Sequence, residues 1–250
     1  MRSSLLALCM ILPLSGCSQL KAVKFLAPQS FGFVQVSPNL YVEVGTDQAT
    51  QTRLQADMLV AEKALGTVYG SVLSKPVVHA CMTEQCLRSF GGQGTFAKAY
   101  GNRILLSPIG LNWHFIAHEW SHAEMIKRLG FHAWKEIPQW FDEGLAVMVS
   151  EAPVHSEAHW QYLQAQHIAH PSREELYSLR SLSAWNAAGT RYSDNKNTER
   201  RARGETEIHS LYTTAGHEVR TWFQQAGTAN LLILISKLNE GNKFDAIYHP

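Results

Sequence analysis

Apolar residues follow two different periods along the chain. Short apolar runs at 40–44, 77–81 and 103–107 predict β-strands, because they are compact and bounded by turn-forming residues. Over 49–69 the apolar residues return every three to four positions, which predicts a helix, and this helical period dominates from Asn112 onward. The pattern therefore predicts an α+β fold, with a small N-terminal sheet followed by a mostly helical part.

Capping residues mark the ends of two central helices. Asn112 and Gly130 suit the two ends of a helix over 113–129, and Pro138 suits the start of a second helix that runs to about Ser150. Three further helices are predicted, at 154–170, 205–225 and 228–239. The polar stretch 189–204 is rich in Arg, Asn and Thr and predicts a mobile loop.

Residues 1–16 have the pattern of an export signal. Arg2 precedes an apolar stretch that is too short to span a bilayer. The quartet Leu14–Cys17 resembles the lipobox of bacterial lipoproteins, which implies cleavage before Cys17 and acylation of that cysteine; an ordinary signal cut nearby is the alternative. In a Gram-negative envelope, Ser18 in place of an aspartate indicates the outer membrane, facing the periplasm.

The composition narrows the class of protein. The chain has 250 residues, of which 45% are apolar, enough for a sizeable core. It carries 22 Lys and Arg against 21 Asp and Glu, and this balance argues against a nucleic-acid partner. We therefore expect a signal peptide over 1–16, a lipid anchor and tether over 17–36, and a single domain over 37–250.

The cysteines agree with export. Cys9 would leave with the signal and Cys17 would carry lipid, so only Cys81 and Cys86 remain in the folded chain. An even pair in an exported protein predicts a disulfide. Two zinc thiolates are the alternative.

Residues 118–122 read His-Glu-Trp-Ser-His, in a chain with 12 histidines. Within the predicted helix, His118 and His122 are four positions apart and share one face, so both imidazoles can reach a single zinc ion. Glu119 lies beside that position, where it can accept a proton from a water molecule that zinc activates. The sequence therefore predicts a catalytic zinc site.

A third protein ligand is expected, because catalytic zinc sites usually have three. The helix that Pro138 begins is the nearest element, and its early acids are Asp142 and Glu143. These two differ by about 100° around the helix, so only one of them should face the metal well.

The motif, together with Pro-Gln-Trp-Phe-Asp-Glu-Gly-Leu-Ala over 138–146, resembles the gluzincin zinc metallopeptidases, and most closely the compact peptidase MA-like domains. The resemblance implies a zincin-like catalytic domain holding one zinc ion. Its ligands would be His118, His122 and Glu143, with Glu119 as general base. Residues 144–146 would pack against the first helix.

The resemblance implies two further features. Residues 101–106 would form the edge strand that pairs with an extended peptide. A Tyr or His from a later helix would stabilise the oxyanion, and Tyr212 is the candidate, with His209 and His217 behind it.

The chain departs from the family pattern in two places. The glycine-rich stretch 91–94 carries no acid to bind a substrate amino terminus, so we do not expect exopeptidase action. Val147 stands where thermolysin-like enzymes have an aspartate that orients a zinc-bound histidine. Asp142 or a backbone carbonyl is left to supply that contact.

Other candidate groups receive plainer interpretations. His155 and His159 are four apart and predict a solvated helix face, with a second metal site as the alternative. Arg200, Arg201 and Arg203 predict a solvated loop rather than an anion site.

The sequence thus predicts a zinc-dependent endopeptidase of the bacterial cell envelope, which acts on peptides or proteins and is held to a membrane by lipid on Cys17. The alternatives are a non-catalytic, chaperone-like binding lipoprotein that carries zinc, and a zinc amidase of peptidoglycan cross-links. Retention of Glu119 favours an enzyme, since zinc binding alone does not need it.

Overall fold

A computed structural model describes residues 23–192 and 196–249, apart from the side chain of Phe131. The predicted signal segment and Cys17 lie outside these residues. Within them, the chain forms a small mixed sheet followed by a mostly helical part, which confirms the predicted α+β class. None of the helices in these ranges is both long and apolar enough to cross a membrane.

The sheet has five strands. They are β1 (Phe33–Ser37), β2 (Leu40–Glu43), β3 (Val77–Ala80), β4 (Ala97–Ala99) and β5 (Arg103–Leu106). Their order across the sheet is β1-β2-β3-β5-β4, with antiparallel outer pairs and parallel inner pairs. The three strands predicted from apolar runs are confirmed as β2, β3 and β5.

The edge strand next to the site differs from the prediction. Residues 101–106 were expected to form it, but β5 lies inside the sheet, where Ile104 is paired with both Val78 and Ala99. The edge position belongs to β4. This strand contributes only two alanines and a lysine, so no apolar period predicts it.

Alternate residues of the strands face two separate cores, as the period of two in a strand requires. The main core on the helical side includes Leu40, Val42, Val78, Ile104 and Leu106. A second cluster on the other face includes Phe25, Phe33, Cys81, Cys86, Leu87, Phe90 and Leu105. Because Phe25 and Phe33 are buried there, the folded part begins inside the range 17–36 that was expected to be tether.

Helices make up most of the remaining structure. They are α1 (Gln48–Tyr69), α2 (Glu84–Ser89), α3 (Trp113–Arg128), α4 (Phe131–Trp134), α5 (Gln139–Ser150), α6 (Glu157–Ala165), α7 (Arg173–Ser178), α8 (Leu182–Tyr192), α9 (Asn197–Ala202), α10 (Ser210–Asn239) and α11 (Phe244–Ile247), with 3-10 helices at Pro28–Phe31 and Pro153–His155. The predictions for α1, α3 and α5 are confirmed to within one or two residues.

The later part of the chain differs more. The expected loop over 189–204 contains the end of α8 and all of α9. Two arginines of this stretch are paired locally: Arg201, in α9, with Glu207, and Arg203, just after it, with Glu205. The helix expected over 154–170 is confined to α6 after a 3-10 turn.

Two other predicted helices, 205–225 and 228–239, together form α10, which begins at Ser210 and is interrupted at Gly227, so the predicted break between them is confirmed. Gly227 lies at its kink with a φ of 65°, a backbone conformation that glycine adopts without strain.

Helices α5 and α10 pack very closely in the centre of the helical part. A Cβ atom at Gly144 would lie 2.5 Å from the carbonyl oxygen of Ala215, and one at Gly216 would overlap Val147. At Gly144 itself α5 contacts α10, while the same helix also packs against α3, the first helix of the motif. This contact fixes the position of Glu143, the residue before Gly144.

Candidate metal centre

Helix α3 carries the first three site residues. Its N-terminus is capped by Asn112, whose side-chain oxygen accepts hydrogen bonds from the backbone N–H groups of His114 and Phe115. Within the helix, the rings of His118 and His122 lie on one face with centroids 5.1 Å apart. The helical placement of the motif is thereby confirmed.

Helix α5 brings Glu143 to the same point. Its Oε2 atom lies 3.3 Å from Nε2 of His118 and 3.7 Å from Nε2 of His122. The other carboxylate oxygen accepts a hydrogen bond from Gln139 at 3.0 Å. The three potential ligand atoms all lie within 4.8 Å of one another, so this group could hold a metal ion.

Asp142 orients one of the two histidines. Its Oδ2 atom lies 2.9 Å from Nδ1 of His122. That contact holds the N–H on Nδ1 and leaves Nε2, which faces Glu143, as the nitrogen available to a metal ion. The sequence left Asp142 and a backbone carbonyl as alternatives for orienting a histidine, and in the structure Asp142 makes this contact. Val147 instead packs against Gly216.

The acids around His122 make the site attractive to a cation. Burial lowers the pKa of His122, but Asp142 and, less strongly, Glu143 and Glu119 raise it to about 10. Burial raises the pKa of Glu143, but its contacts with His118 and His122 hold the pKa below its usual value. The carboxylates of Asp142 and Glu143 stabilise positive charge on the His122 ring. The same carboxylates can stabilise a metal ion that takes the place of the proton.

Glu119 lies beside the three ligand candidates. Burial raises its pKa, the two motif histidines lower it, and Glu143 raises it again, with a net value above the usual one. The backbone N–H of Ala99 in β4 also contacts this carboxylate and lowers the pKa slightly. A raised pKa improves a carboxylate as a proton acceptor near neutral pH.

The site opens into a cavity of about 200 Å³. Its walls come from α3, from the segment that leads into β4, from the 3-10 turn before α6 and from the start of α10: Gly94, Thr95, Phe96, Ala97, Phe115, His118, Glu119, His155, His209 and Tyr212. Two of the predicted site residues, His118 and Glu119, therefore line the same cavity as Tyr212.

Tyr212 lies close to the motif histidines. Its ring centroid is 6.2 Å from that of His118, and burial, followed by the nearby Glu143, raises the pKa of Tyr212 far above its ordinary value. The hydroxyl therefore remains protonated and able to donate. His209 lines the same cavity, whereas His217 lies outside it and pairs with Glu157 at 2.9 Å.

The expectation of a solvated face for His155 and His159 is wrong, because both side chains are buried. His155 lies in the 3-10 turn before α6 and stacks on the ring of Tyr212, with centroids 5.4 Å apart. It lines the metal-site cavity, which the sequence could not indicate because the turn has no helical period. His118, His122 and Glu143 form the only group of metal-binding geometry found among the described residues.

The cysteine prediction is confirmed. Cys81 and Cys86 form a disulfide, with Cα atoms 5.5 Å apart, so the alternative of two zinc thiolates does not apply. The bond belongs to the second cluster, on the face of the sheet opposite the main core.

No protein-family model, curated protein or solved structure matches the chain. What the site can do is therefore inferred from its own geometry.

Proposed function

We propose that the protein is a zinc-dependent endopeptidase of the gluzincin type. The observation that carries this proposal is the convergence of two imidazole nitrogens and one carboxylate, with a second carboxylate, that of Glu119, next to them. Two histidines and a glutamate are a common ligand set for catalytic zinc. The contact between Asp142 and His122 supports it, because such ligands usually bond a carboxylate through their other nitrogen.

A zinc ion bound there would supply Lewis-acid chemistry, activating water and polarising the scissile carbonyl. Glu119 accepts the proton of the attacking water and passes it to the leaving amine. Tyr212, which burial keeps protonated, donates a hydrogen bond to the oxygen on which negative charge develops. Asp142 holds His122 in the tautomer that this arrangement requires.

Strand β4 favours a peptide substrate. It is at the edge of the sheet, and the backbone of Ala99 reaches the Glu119 carboxylate. An extended peptide that added to this edge would run past Glu119. An open strand edge does not require a chain terminus, which favours cleavage within a chain.

Zinc content and chelator sensitivity test the proposal together. The purified chain from Cys17 onward is expected to bind one zinc ion and to cleave unfolded peptides, to lose cleavage with a chelator, and to regain it when zinc is returned. Zinc binding without cleavage of any peptide would support the binding lipoprotein instead. Release of cross-links from peptidoglycan, with peptides left intact, would support the amidase.

We also propose that the protein is anchored in the outer membrane by lipid on Cys17. Two acyl chains or more hold a protein stably, whereas one holds it only marginally. Cell fractionation of the Cys17→Ser variant is expected to move the protein from the membrane to the soluble envelope fraction. Membrane retention of a processed variant would contradict the anchor.

A further inference from the structure

A second cavity adjoins the metal-site cavity and is larger, at about 460 Å³. The two share Gly94, Phe96, His209 and Tyr212 as walls. Because these residues border both spaces, a ligand bound near His118 and Glu119 would lie next to the second cavity, here called the side cavity.

Phe96 is held firmly between the two spaces. Its ring stacks on Phe115, with centroids 4.1 Å apart and planes 4° from parallel, and the guanidinium of Arg201 lies 5.4 Å from its centroid. Its carbonyl accepts a hydrogen bond from the backbone N–H of Ser107 and packs so closely on Gly110 that a Cβ atom there would overlap it. The wall is therefore preformed.

The charged groups that line the side cavity are already paired within the protein. Arg201 donates two hydrogen bonds to Glu207, at 2.8 and 2.7 Å, and His209 lies 3.2 Å from the same carboxylate. Glu84 pairs with Arg88 at 3.9 Å. A charged ligand group would thus compete with these internal pairs, which is unfavourable.

The remaining polar groups are also largely engaged. Both ends of the Asn197 amide bond the backbone of Ile208, at 2.8 Å each, and the hydroxyl of Tyr192 donates to Glu175. Beside these engaged polar groups, the cavity walls present ring and aliphatic surface from Phe96, Ile109 and Leu211.

We propose that the side cavity is the specificity pocket of the enzyme and takes a bulky apolar side chain, preferably aromatic, next to the scissile bond. This inference rests on the proposed peptidase function. The volume lies in the usual range for ligand pockets, about 300–1,000 Å³. Aromatic side chains gain most from such a pocket, because they bury the largest apolar area and contact ring walls favourably.

Gly189 allows the pocket to be filled without touching the metal centre. It lies in α8 and lines the side cavity, and its Cβ position meets only Leu211, at 3.9 Å. Gly189→Leu should therefore fold while occupying space in the pocket. The matched control is Gly66→Leu, in α1, where the Cβ position has open space. Ile109→Trp fills the pocket from another element, should Gly189→Leu fail to fold.

Cleavage of a peptide library is the first measurement. Wild type is expected to prefer Phe, Tyr or Trp at one position beside the cleaved bond. Gly189→Leu should lower kcat/KM for those peptides by about tenfold or more. It should leave peptides with Ala at that position within about twofold. Gly66→Leu should keep the wild-type preference. An unchanged preference in both pocket-filling variants would overturn the inference.

Binding separates failure of the pocket from failure of the peptidase proposal. If the zinc-loaded wild type cleaves no peptide, the proposed function fails, and calorimetry tests the pocket with N-acetyl-phenylalanine amide against N-acetyl-alanine amide. Binding of the phenylalanine amide about tenfold more tightly, lost in Gly189→Leu, would support the pocket. Equal affinity for both amides, or cleavage of peptidoglycan cross-links without any dependence on a bulky side chain, would overturn it.

Discussion

Two regions of this protein bury histidines in opposite surroundings. His122, at the metal centre, has the carboxylates of Asp142 and Glu143 beside it, and its pKa rises to about 10. His79, on β3, faces the second cluster, where it stacks on Tyr41 and meets the edge of Phe25. Neither ring nitrogen of His79 makes a well-formed hydrogen bond, and burial, with a smaller effect of Arg103, lowers its pKa to about 4.

The difference shows that burial of a histidine does not by itself make a site. Burial removes the charged form in both regions, as low polarity disfavours any ion. Only at the metal centre do adjacent acids reverse this effect, and the same acids complete a ligand set. At His79 the imidazole acts as one more aromatic ring in a packed core.

The largest expected effect concerns the reaction at the metal centre. Glu119→Gln removes the proton acceptor while keeping nearly the same shape, so turnover should fall by about 10²–10⁴-fold. Zinc stoichiometry should not change, since Glu119 is not one of the three converging ligands. Steady-state kinetics on a peptide that wild type cleaves, with metal analysis of the same sample, measure both. Wild-type activity in this variant would remove Glu119 from the mechanism.

Two adjacent acids sharpen the comparison at the same centre. Asp142→Ala removes the group that orients His122 and should raise the Kd for zinc by about 10–100-fold. Glu143→Ala removes a ligand and should raise it further, with a parallel loss of activity. Competition with a zinc-binding dye measures the two values. A weaker effect for Glu143→Ala than for Asp142→Ala would exchange their assigned roles.

His79 makes stability depend on pH in the opposite way from a paired histidine. Above pH 6.5 the imidazole is neutral in both the folded and the unfolded chain. Between pH 6.5 and about 4 only the unfolded chain takes up a proton, so the free energy of unfolding decreases as the pH is lowered. The pKa difference corresponds to about 3 kcal/mol, fully lost only below pH 4.

His79→Phe keeps a ring in the cluster and should flatten this part of the pH curve. Urea unfolding at several pH values measures the slope, with the exposed His132→Gln as control. The variant retains part of the slope, because buried His155 and His159 also have lowered pKa values. A curve for His79→Phe that coincides with wild type would show that His79 is not held neutral.

The smallest expected effect belongs to the disulfide of the same cluster. Cys81 and Cys86 close a short loop, so their bond should contribute about 2 kcal/mol to the free energy of unfolding by the loop-closure model. Denaturation with and without a reductant measures this contribution. The stability of the double variant Cys81→Ala, Cys86→Ala should not change with the reductant. If the reductant destabilises this variant as much as wild type, the disulfide is not the cause of the effect.

Secondary-structure elements and the spacing of residues within one helix could be predicted from the sequence. Helix α3, its Asn112 cap and the shared face of His118 and His122 all follow from spacing along one helix. Strands β2, β3 and β5 follow from compact apolar runs. These elements depend on local periodicity, which tertiary contacts did not override.

Contacts between distant segments needed the tertiary structure. The sequence left Asp142 and a backbone carbonyl as alternatives for orienting a histidine, and only the packing of α5 beside α3 brings that carboxylate to His122. The family resemblance also placed the edge strand at residues 101–106, which include β5. The edge position belongs to β4, which is too short to show a period, because sheet order depends on pairing between strands.

The sequence by itself determined which residues could bind a metal: a helix has a fixed geometry, so residues four apart share a face wherever the helix lies. The tertiary structure decided how those residues are surrounded. Close packing at Gly144 sets the depth at which Glu143 meets the two histidines, and the turn at His155 buries a side chain that the pattern had left to solvent. Burial and approach depend on the whole core, and no short window of sequence contains that information.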